Sequence, residues 1–171
     1  MLATHDALGA AAIPHAFGGA IALAYCTEEP RGTRDLDINA FVPAERAGEV
    51  LAALPDGVRV TDEDIAIARR DEQVRVWWDD TPLDLFFDAG EFHAHAATAV
   101  RWVPFEGHTI PILGCDELVV FKVLFNRTRD WADIEAIVSA RALDCGAALG
   151  WLERLIGADD ERARRLAGLC G

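Results

Sequence analysis

The sequence predicts an α+β fold, in which a small mixed β-sheet flanked by helices is followed by a helical C-terminal part. Up to residue 114, strand-like runs alternate with helical ones, whereas from Cys115 onward the hydrophobic pattern is helical. Hydrophobic residues make up 51% of the 171-residue chain, which is enough for a core. We therefore expect an α/β core over residues 1–114, with a helical region over residues 115–171 packed on it as one compact unit.

Short helices and strands alternate in the N-terminal part. A helix is predicted over residues 4–12, with Thr4 as its candidate N-cap. The extended stretch IPHAF leads to Gly18 and Gly19, where a second helix is expected to begin. DLDINAFV is predicted as a strand that ends at Pro43, and PAERAGEVLAAL as an amphipathic helix with proline in its first turn.

The middle of the chain predicts a hairpin and a strand pair. TDEDIAIARRDE fits a helix capped by Thr61 with Asp64 at its third position, although a strand is also compatible. QVRVWW and LDLFF are joined by the polar turn DDTP, which is typical of a β-hairpin. A short helix and a strand pair that turns near Glu106 and Gly107 follow. The C-terminal part predicts four helices, in the segments DELVVFKVLF, TRDWADIEAIVSARAL, GAALGWLERLIG and DDERARRLAGL.

The four cysteines predict free thiols in a reducing cytoplasm. Cys26, Cys115, Cys145 and Cys170 are far apart and form no CxxC pair, so a zinc ribbon or a thioredoxin-type centre has little support. No apolar run reaches the ~18–20 residues of a membrane span, and the N-terminus lacks a basic leader followed by an apolar block. We expect a cytoplasmic protein with no secretory peptide and no membrane partner.

The chain is acidic, with 29 Asp and Glu against 16 Lys and Arg and a formal net charge of −13. A broad nucleic-acid-binding surface needs a cationic footprint, so this balance argues against one without excluding a local basic patch. Lys122 is the only lysine in the chain. A lone ammonium is a weak sign of a specific role, whereas a G+C-rich genome would deplete lysine without any such role.

Asp35 and Asp37 stand two residues apart at the start of the strand DLDINAFV. Side chains alternate faces along a strand, so both carboxylates point to the same side, about 6–7 Å apart. Their repulsion calls for solvent, a counter-charge or a divalent cation, and Mg²⁺ accepts one or two protein carboxylates together with substrate phosphates. A solvated strand end is the alternative interpretation.

Asp84 lies in the apolar strand LDLFF and needs a partner there. If this strand lies beside the first one, Asp84 joins Asp35 and Asp37. Three carboxylates from neighbouring strands can hold two metal ions, which clamp the attacking and leaving oxygens of a phosphoryl-type displacement. Asp84 would then be a shared metal ligand or the general base for an incoming hydroxyl. The alternative is an aspartate that caps the hairpin.

Two further features suit a triphosphate. Gly18 and Gly19 precede a helix N-terminus, where backbone N–H groups and the helix dipole favour an anion, although a plain turn is the alternative. Lys122 falls in an apolar helix, where its ammonium must reach solvent or find an anion. Asp130 and Asp133 could pair with it and hold it in place, and a simple surface lysine is the other interpretation.

Together these segments resemble the nucleotidyltransferase superfamily, whose catalytic core is similar to that of DNA polymerase β. Within it, the pattern is closest to the abortive-infection type (AbiEii-like) nucleotidyltransferase toxins, with a GG-x-A-L-A element, R-x-[ST]-x-D-x-D and a later lysine–arginine–aspartate helix pair. The resemblance covers roughly residues 13–138. The matching residues are Gly18, Gly19, Arg31, Thr33, Asp35, Asp37, Lys122, Arg127, Asp130 and Asp133.

The resemblance implies a role for each matched residue. Gly18, Gly19 and Thr33 would bind the nucleotide phosphates, and Arg34 beside them is included in the predicted nucleotide site. The divalent Mg²⁺ would be held by Asp35, Asp37 and the third carboxylate, Asp84. Lys122 and Asp133 match the later lysine and aspartate, and both belong to the predicted nucleotide site, where Lys122 would hold the triphosphate as a catalytic residue. Threonine at position 33 replaces the commoner serine, and the short chain reduces the region that would bind an acceptor.

The predicted activity is Mg²⁺-dependent nucleotidyl transfer, in which an acceptor hydroxyl attacks the α-phosphate of an NTP and pyrophosphate leaves. By the resemblance, the enzyme is a toxin of a toxin–antitoxin pair that acts on tRNA or another cellular acceptor, with an antitoxin protein as partner. Small aminoglycoside and lincosamide nucleotidyltransferases share a similar core, so an antibiotic-modifying transferase is the first alternative. A non-catalytic nucleotide-binding member of the fold is the second.

Overall fold

The structure is a computed structural model that describes residues 1–30 and 32–171, and these residues divide into two units. The first comprises Met1–Ile21 and Gly32–Leu113 and contains the β-sheet. The second comprises residues 22–30 and Gly114–Gly171 and is helical. The domain boundary expected between residues 114 and 115 stays a prediction.

Seven strands form one mixed sheet in the order β3-β4-β5-β2-β1-β7-β6. β2 pairs with β5 and β1 with β7 in parallel, and the other neighbours are antiparallel. The predicted α+β fold with a mixed sheet is therefore confirmed. The strands are β1 His15–Phe17, β2 Leu36–Pro43, β3 Val58–Arg59, β4 Gln73–Trp78, β5 Thr81–Asp88, β6 Arg101–Phe105 and β7 His108–Ile112.

The described residues also form nine α-helices and one 3-10 turn, Ala44–Arg46. No helix in this part of the chain is both long and apolar enough to cross a membrane. The helices are α1 Leu2–Ala10, α2 Gly19–Thr27, α3 Ala47–Ala52, α4 Asp62–Asp71, α5 Glu91–Thr98, α6 Cys115–Phe125, α7 Thr128–Ser139, α8 Cys145–Ile156 and α9 Glu161–Cys170.

The hairpin of β4 and β5 adds two strands to one side of β2. In β5 the residues alternate strictly, so that Leu83, Leu85 and Phe87 are fully buried while the residues between them are half-exposed. This alternation leaves one face of the sheet for the apolar core and the other for polar side chains. Asp84 belongs to the half-exposed set, which is the first condition for a site on that face.

Two local expectations for helix starts have different outcomes. Thr61 caps α4, since its hydroxyl accepts from the Asp64 N–H and the Asp64 carboxylate accepts from the Thr61 N–H at 2.8 Å. The strand alternative for this segment is wrong. Thr4 is not an N-cap, because α1 begins earlier, at Leu2, and Thr4 is fully buried inside the helix.

The second unit is built on α6, whose side chains are buried on nearly all sides. Leu118, Val119 and Val123 are at most 2% exposed, and α6 contacts α7, α8 and α9. α7 presents Trp131 and Ile134 to this core, which lies around α6. A helix that is apolar all round is expected at the centre of such a bundle.

The four cysteines form two disulfides, so the expectation of free thiols is wrong. Cys26 near the end of α2 is bonded to Cys115 at the start of α6, with 5.7 Å between their Cα atoms. Cys145 at the start of α8 is bonded to Cys170 at the end of α9, at 6.1 Å. Disulfides persist in oxidising surroundings, so the cysteines lend no support to a reducing cytoplasm.

The disulfides make a prediction about stability. Cys26–Cys115 spans 89 residues and Cys145–Cys170 spans 25. Because the longer loop loses more entropy on closure, replacing Cys26 and Cys115 with alanine should lower the free energy of unfolding by about 1 kcal/mol more than replacing the other pair. Urea unfolding of the two double variants measures this difference.

Thiol counting gives the matching control. When the unreduced protein is unfolded in urea, iodoacetamide should label no cysteine. After reduction it should label all four. Labelling of any cysteine before reduction, seen by mass spectrometry, would contradict the pairing.

Candidate active site

Three carboxylates converge where β2 and β5 run side by side. The two strands are parallel, and Asp37 lies directly opposite Asp84. Asp35 immediately precedes β2, and its charge, like that of Asp37, acts on Arg75 of the neighbouring hairpin. The buried neighbours Leu36 and Leu83 point the other way, into the core. The predicted site required that the strand of Asp84 lie beside the strand of Asp37, and the sheet meets this condition. All three aspartates are half-exposed.

Arg75 on β4 completes this cluster. It lies opposite Asp84 in the antiparallel hairpin, and its Nε and Nη2 atoms donate to Oδ1 and Oδ2 of Asp84, each at 2.6 Å. These hydrogen bonds are the main cause of a raised pKa of Arg75, and the negative charges of Asp35 and Asp37 raise it further. The guanidinium therefore lies within the field of all three carboxylates.

Sequence reasoning missed Arg75, although the signal was present. Once the hairpin QVRVWW–DDTP–LDLFF is accepted, its register can be counted outward from the turn, from Trp78 opposite Thr81 to Arg75 opposite Asp84. A cation directly across from a carboxylate is a favourable cross-strand pair.

Gly19 makes room for Asp37. Gly19 is the first residue of α2 and has a φ of +48°, and a Cβ placed there would overlap the Asp37 carboxylate. The Gly18 N–H donates to the Asp37 carbonyl at 3.0 Å. The glycine pair therefore brings the start of a helix against a carboxylate of the cluster, which is a steric reason for glycine. The predicted binding of nucleotide phosphates by Gly18 and Gly19 stays a prediction.

The segment before β2 is tied to Asp35. The Thr33 hydroxyl donates to the Asp35 carboxylate and also to its carbonyl oxygen, the latter at 3.3 Å. Thr33 thus orients a carboxylate, and its role toward phosphates stays a prediction. Arg34 is exposed beside it. Arg31, the first residue of the R-x-T-x-D-x-D pattern, lies outside the described residues.

A cavity of about 690 Å³ adjoins this segment within the first unit. Asp35 lines it together with Leu36, Leu83, Trp78 and Phe105, whereas Asp37 and Asp84 are not among its lining residues. Ligand pockets of this size accept a small molecule, and they combine apolar walls with a few polar groups.

Lys122 lies in the second unit and is buried with two carboxylates. Its Nζ atom lies 2.6 Å from Oδ2 of Asp133 and 3.5 Å from Oδ1 of Asp130, and all three residues are at most 6% exposed. The predicted pairing is confirmed, and the surface-lysine interpretation is wrong. Removing one partner of such a buried pair costs about 3–5 kcal/mol, so the cluster has a structural role of its own.

Arg127 joins this second cluster through Asp130. Burial alone would raise the pKa of the Asp130 carboxyl, but the side-chain and backbone hydrogen bonds from Arg127 and the charge of Lys122 outweigh it, so that pKa is lowered. Asp130 therefore stays ionised and neutralises the lysine together with Asp133. The roles of Lys122 and Asp133 in nucleotide binding stay predictions.

The carboxylates of β2 and β5 fit a hard cation only in part. Oxygen donors from Asp35 and Asp37 suit Mg²⁺, which needs one or two protein carboxylates. Asp84 could not chelate a cation through both oxygens in this arrangement, because each of them accepts a hydrogen bond from Arg75. Over residues 1–30 and 32–171, no group of three or more His, Cys, Asp and Glu residues is placed to hold a metal ion.

The contact between Gly19 and Asp37 predicts a coupled effect on stability. Gly19→Ala should destabilise the fold by about 1–3 kcal/mol, because alanine is strained at this φ and its Cβ meets the carboxylate. In an Asp37→Ala background the cost should fall by about 1 kcal/mol, because the carboxylate is gone. Thermal unfolding of the four proteins measures this coupling.

Gly9→Ala is the matched control for this cycle. Gly9 lies in α1, and a methyl group on its Cα would enter open space, so alanine there should be neutral or stabilise the helix by up to about 1 kcal/mol. An equal cost of Gly19→Ala with and without Asp37 would contradict the steric explanation.

No protein-family model and no curated protein matches the sequence. Solved structures do match the fold. The crystal structure of ANT(2")-Ia in complex with adenylyl-2"-tobramycin has a TM-score of 0.65 at 16% identity, over 90% of this chain and 95% of that one. The solution structure of the antibiotic-resistance factor ANT(2'')-Ia gives 0.55 at 18%, over 95% and 84%.

A third solved structure has a similar fold. The antigenic nucleotidyltransferase-like protein from Paracoccidioides brasiliensis matches with a TM-score of 0.54 at 12% identity, over 98% of this chain and 84% of that one. At these identities the likeness is one of fold, and the closer resemblance to abortive-infection toxins stays a prediction. The chain has the fold of the nucleotidyltransferases.

Proposed function

We propose that this protein is a nucleotidyltransferase that moves NMP from an NTP to an acceptor hydroxyl. The observation that carries the proposal is the register of β2 and β5, which sets Asp84 opposite Asp37, two residues after Asp35. Three carboxylates in a polar, half-exposed position are costly to gather, and this chain gathers them within the fold of nucleotidyltransferases.

The reaction makes one P–O bond and breaks another. The acceptor oxygen attacks the α-phosphorus, the bond from that phosphorus to the bridging oxygen of pyrophosphate breaks, and the hydroxyl proton passes to a base. Asp35 and Asp37 are the residues that would hold a divalent cation, with Thr33 orienting Asp35. When bound, the cation would neutralise negative charge on the phosphates.

Asp84 is the candidate third metal ligand or the general base for the acceptor hydroxyl. It is a carboxylate on the same face as Asp37, so an acceptor bound over that face would lie near it. Its oxygens accept from Arg75 in the present arrangement, so it must exchange these hydrogen bonds before it can accept a proton.

We propose a small hydroxylated molecule as the acceptor. The cavity lined by Asp35 has the volume of a small-molecule site, and Asp80 adds a second carboxylate to its wall. Asp37 and Asp84 do not line this cavity, so a bound acceptor would have to extend from it toward them. The net charge of −13 favours a cationic acceptor over a polyanion. The structure of ANT(2")-Ia with adenylyl-2"-tobramycin is an example of this fold with such a product.

A toxin that modifies tRNA is the second candidate. It is supported by the pattern of Lys122, Arg127, Asp130 and Asp133, which resembles the later helix pair of the abortive-infection type, and these four residues do form one charge cluster. In this alternative an antitoxin would be a partner, and the acceptor would bind through a local basic patch.

The transfer of label from each of the four α-³²P-labelled NTPs with Mg²⁺ tests the proposal, with aminoglycosides, tRNA and a cell extract as acceptors. The wild-type protein should label one acceptor class, and Asp37→Asn should lower the rate about 100-fold or more, because it removes charge at the phosphates. Asp56→Asn is the control, because it makes the same chemical change at an exposed residue in the turn before β3, away from the site.

Two outcomes separate the candidates. Label on aminoglycosides supports the small-molecule acceptor, and label on tRNA supports the toxin. No label on any acceptor, together with no NTP binding by calorimetry, would overturn the proposed activity.

A further inference from the structure

Arg75 occupies the carboxylate oxygens of Asp84 that a metal ion would need. Its Nε and Nη2 atoms donate to the two carboxylate oxygens at 2.6 Å each. On each oxygen, the lone pair that accepts from the guanidinium is therefore not available to a cation. The side chain of Asp84 is 17% exposed, and that of Arg75 is 52% exposed.

The position of Arg75 is fixed by the sheet, not by a flexible loop. β4 pairs with β5 over six residues, from Gln73 opposite Phe86 to Trp78 opposite Thr81, and Arg75 sits in the middle of this ladder. Because Val74 and Val76 on either side are buried, the side chain of Arg75 can only project onto the polar face. The pair with Asp84 is therefore built into the hairpin.

We infer that Arg75 is an internal counter-ion that competes with the divalent cation for Asp84, and that it must leave this carboxylate for the full set of three aspartates to bind metal. The inference rests on the proposed function and identifies a residue that sets the metal affinity of that site. The cation and the guanidinium carry charge of the same sign, so they also repel each other across the cluster.

The apparent metal affinity equals the intrinsic affinity multiplied by the fraction of molecules in which the Arg75–Asp84 pair is open. If the pair is closed in about nine-tenths of the molecules, the apparent affinity falls about tenfold relative to a site without the arginine. The exposed guanidinium can move into solvent without unfolding the hairpin, since its backbone stays in the ladder.

Mn²⁺ titration followed by electron paramagnetic resonance tests the inference without nucleotide and without turnover. Free Mn²⁺ gives the signal, so the amount bound is read directly. Arg75→Met keeps the aliphatic stem and removes the charge, and it should bind Mn²⁺ about three- to tenfold more tightly than the wild type. Arg75→Lys keeps a charge but cannot make the two-pronged contact, and it should lie between them.

Arg70→Met is the matched control. Arg70 on α4 makes the same two-pronged contact with Asp71, at 2.7 and 2.6 Å, and its removal changes the net charge equally. Mn²⁺ affinity should not change in this variant. In an Asp84→Asn background, the gain from Arg75→Met should shrink, because the contested carboxylate is absent.

The outcomes are distinguishable. Tighter binding by Arg75→Met, with Arg70→Met unchanged, supports the inference. Equal or weaker binding by Arg75→Met and Arg75→Lys, in variants that melt like the wild type, overturns it and leaves the proposed function standing. If neither the wild type nor any variant binds Mn²⁺, with or without NTP, both the inference and a metal-dependent transferase are overturned.

Discussion

The repulsion among Asp35, Asp37 and Asp84 is the constraint on which the rest of the first unit depends. Two unit charges about 6 Å apart repel by about 3 kcal/mol at an effective dielectric constant of about 20. The fold places these carboxylates together through the register of two parallel strands and then lowers the cost with three local devices. Thr33 donates to Asp35, Gly19 opens space at a helix start for Asp37, and Arg75 neutralises Asp84.

The carboxylate cluster of the first unit and the lysine cluster of the second unit differ in charge balance and in exposure. In the first unit, one exposed arginine faces three half-exposed carboxylates, so negative charge remains in excess where a cation can reach it. In the second unit, the buried Lys122 and the exposed Arg127 balance the charges of Asp130 and Asp133, which are both buried. A balanced buried cluster specifies structure, whereas an unbalanced accessible one can bind a ligand. This contrast favours the sheet as the place of the chemistry and gives the lysine cluster a structural role.

Much of this arrangement could be predicted from local patterns. The period of two placed Asp35 and Asp37 on one face, the turn DDTP indicated the β4–β5 hairpin, and the Thr61–Asp64 capping box placed the start of α4. The adjacency of β2 and β5 could only be stated as a condition, because parallel pairing depends on strands far apart in sequence. The free-thiol prediction was wrong for a similar reason. Nothing in the 89-residue spacing of Cys26 and Cys115 indicates that α2 and α6 bring these two cysteines together.

The most direct measurement is anomalous diffraction from crystals soaked with Mn²⁺ and a non-hydrolysable NTP analogue. We expect a Mn²⁺ peak within coordination distance of Asp35 and Asp37, with the α-phosphate of the analogue beside it and Arg75 turned away from Asp84. Nucleotide bound elsewhere, or bound here with no metal at these aspartates, would contradict the claim that this carboxylate cluster is the centre of nucleotidyl transfer.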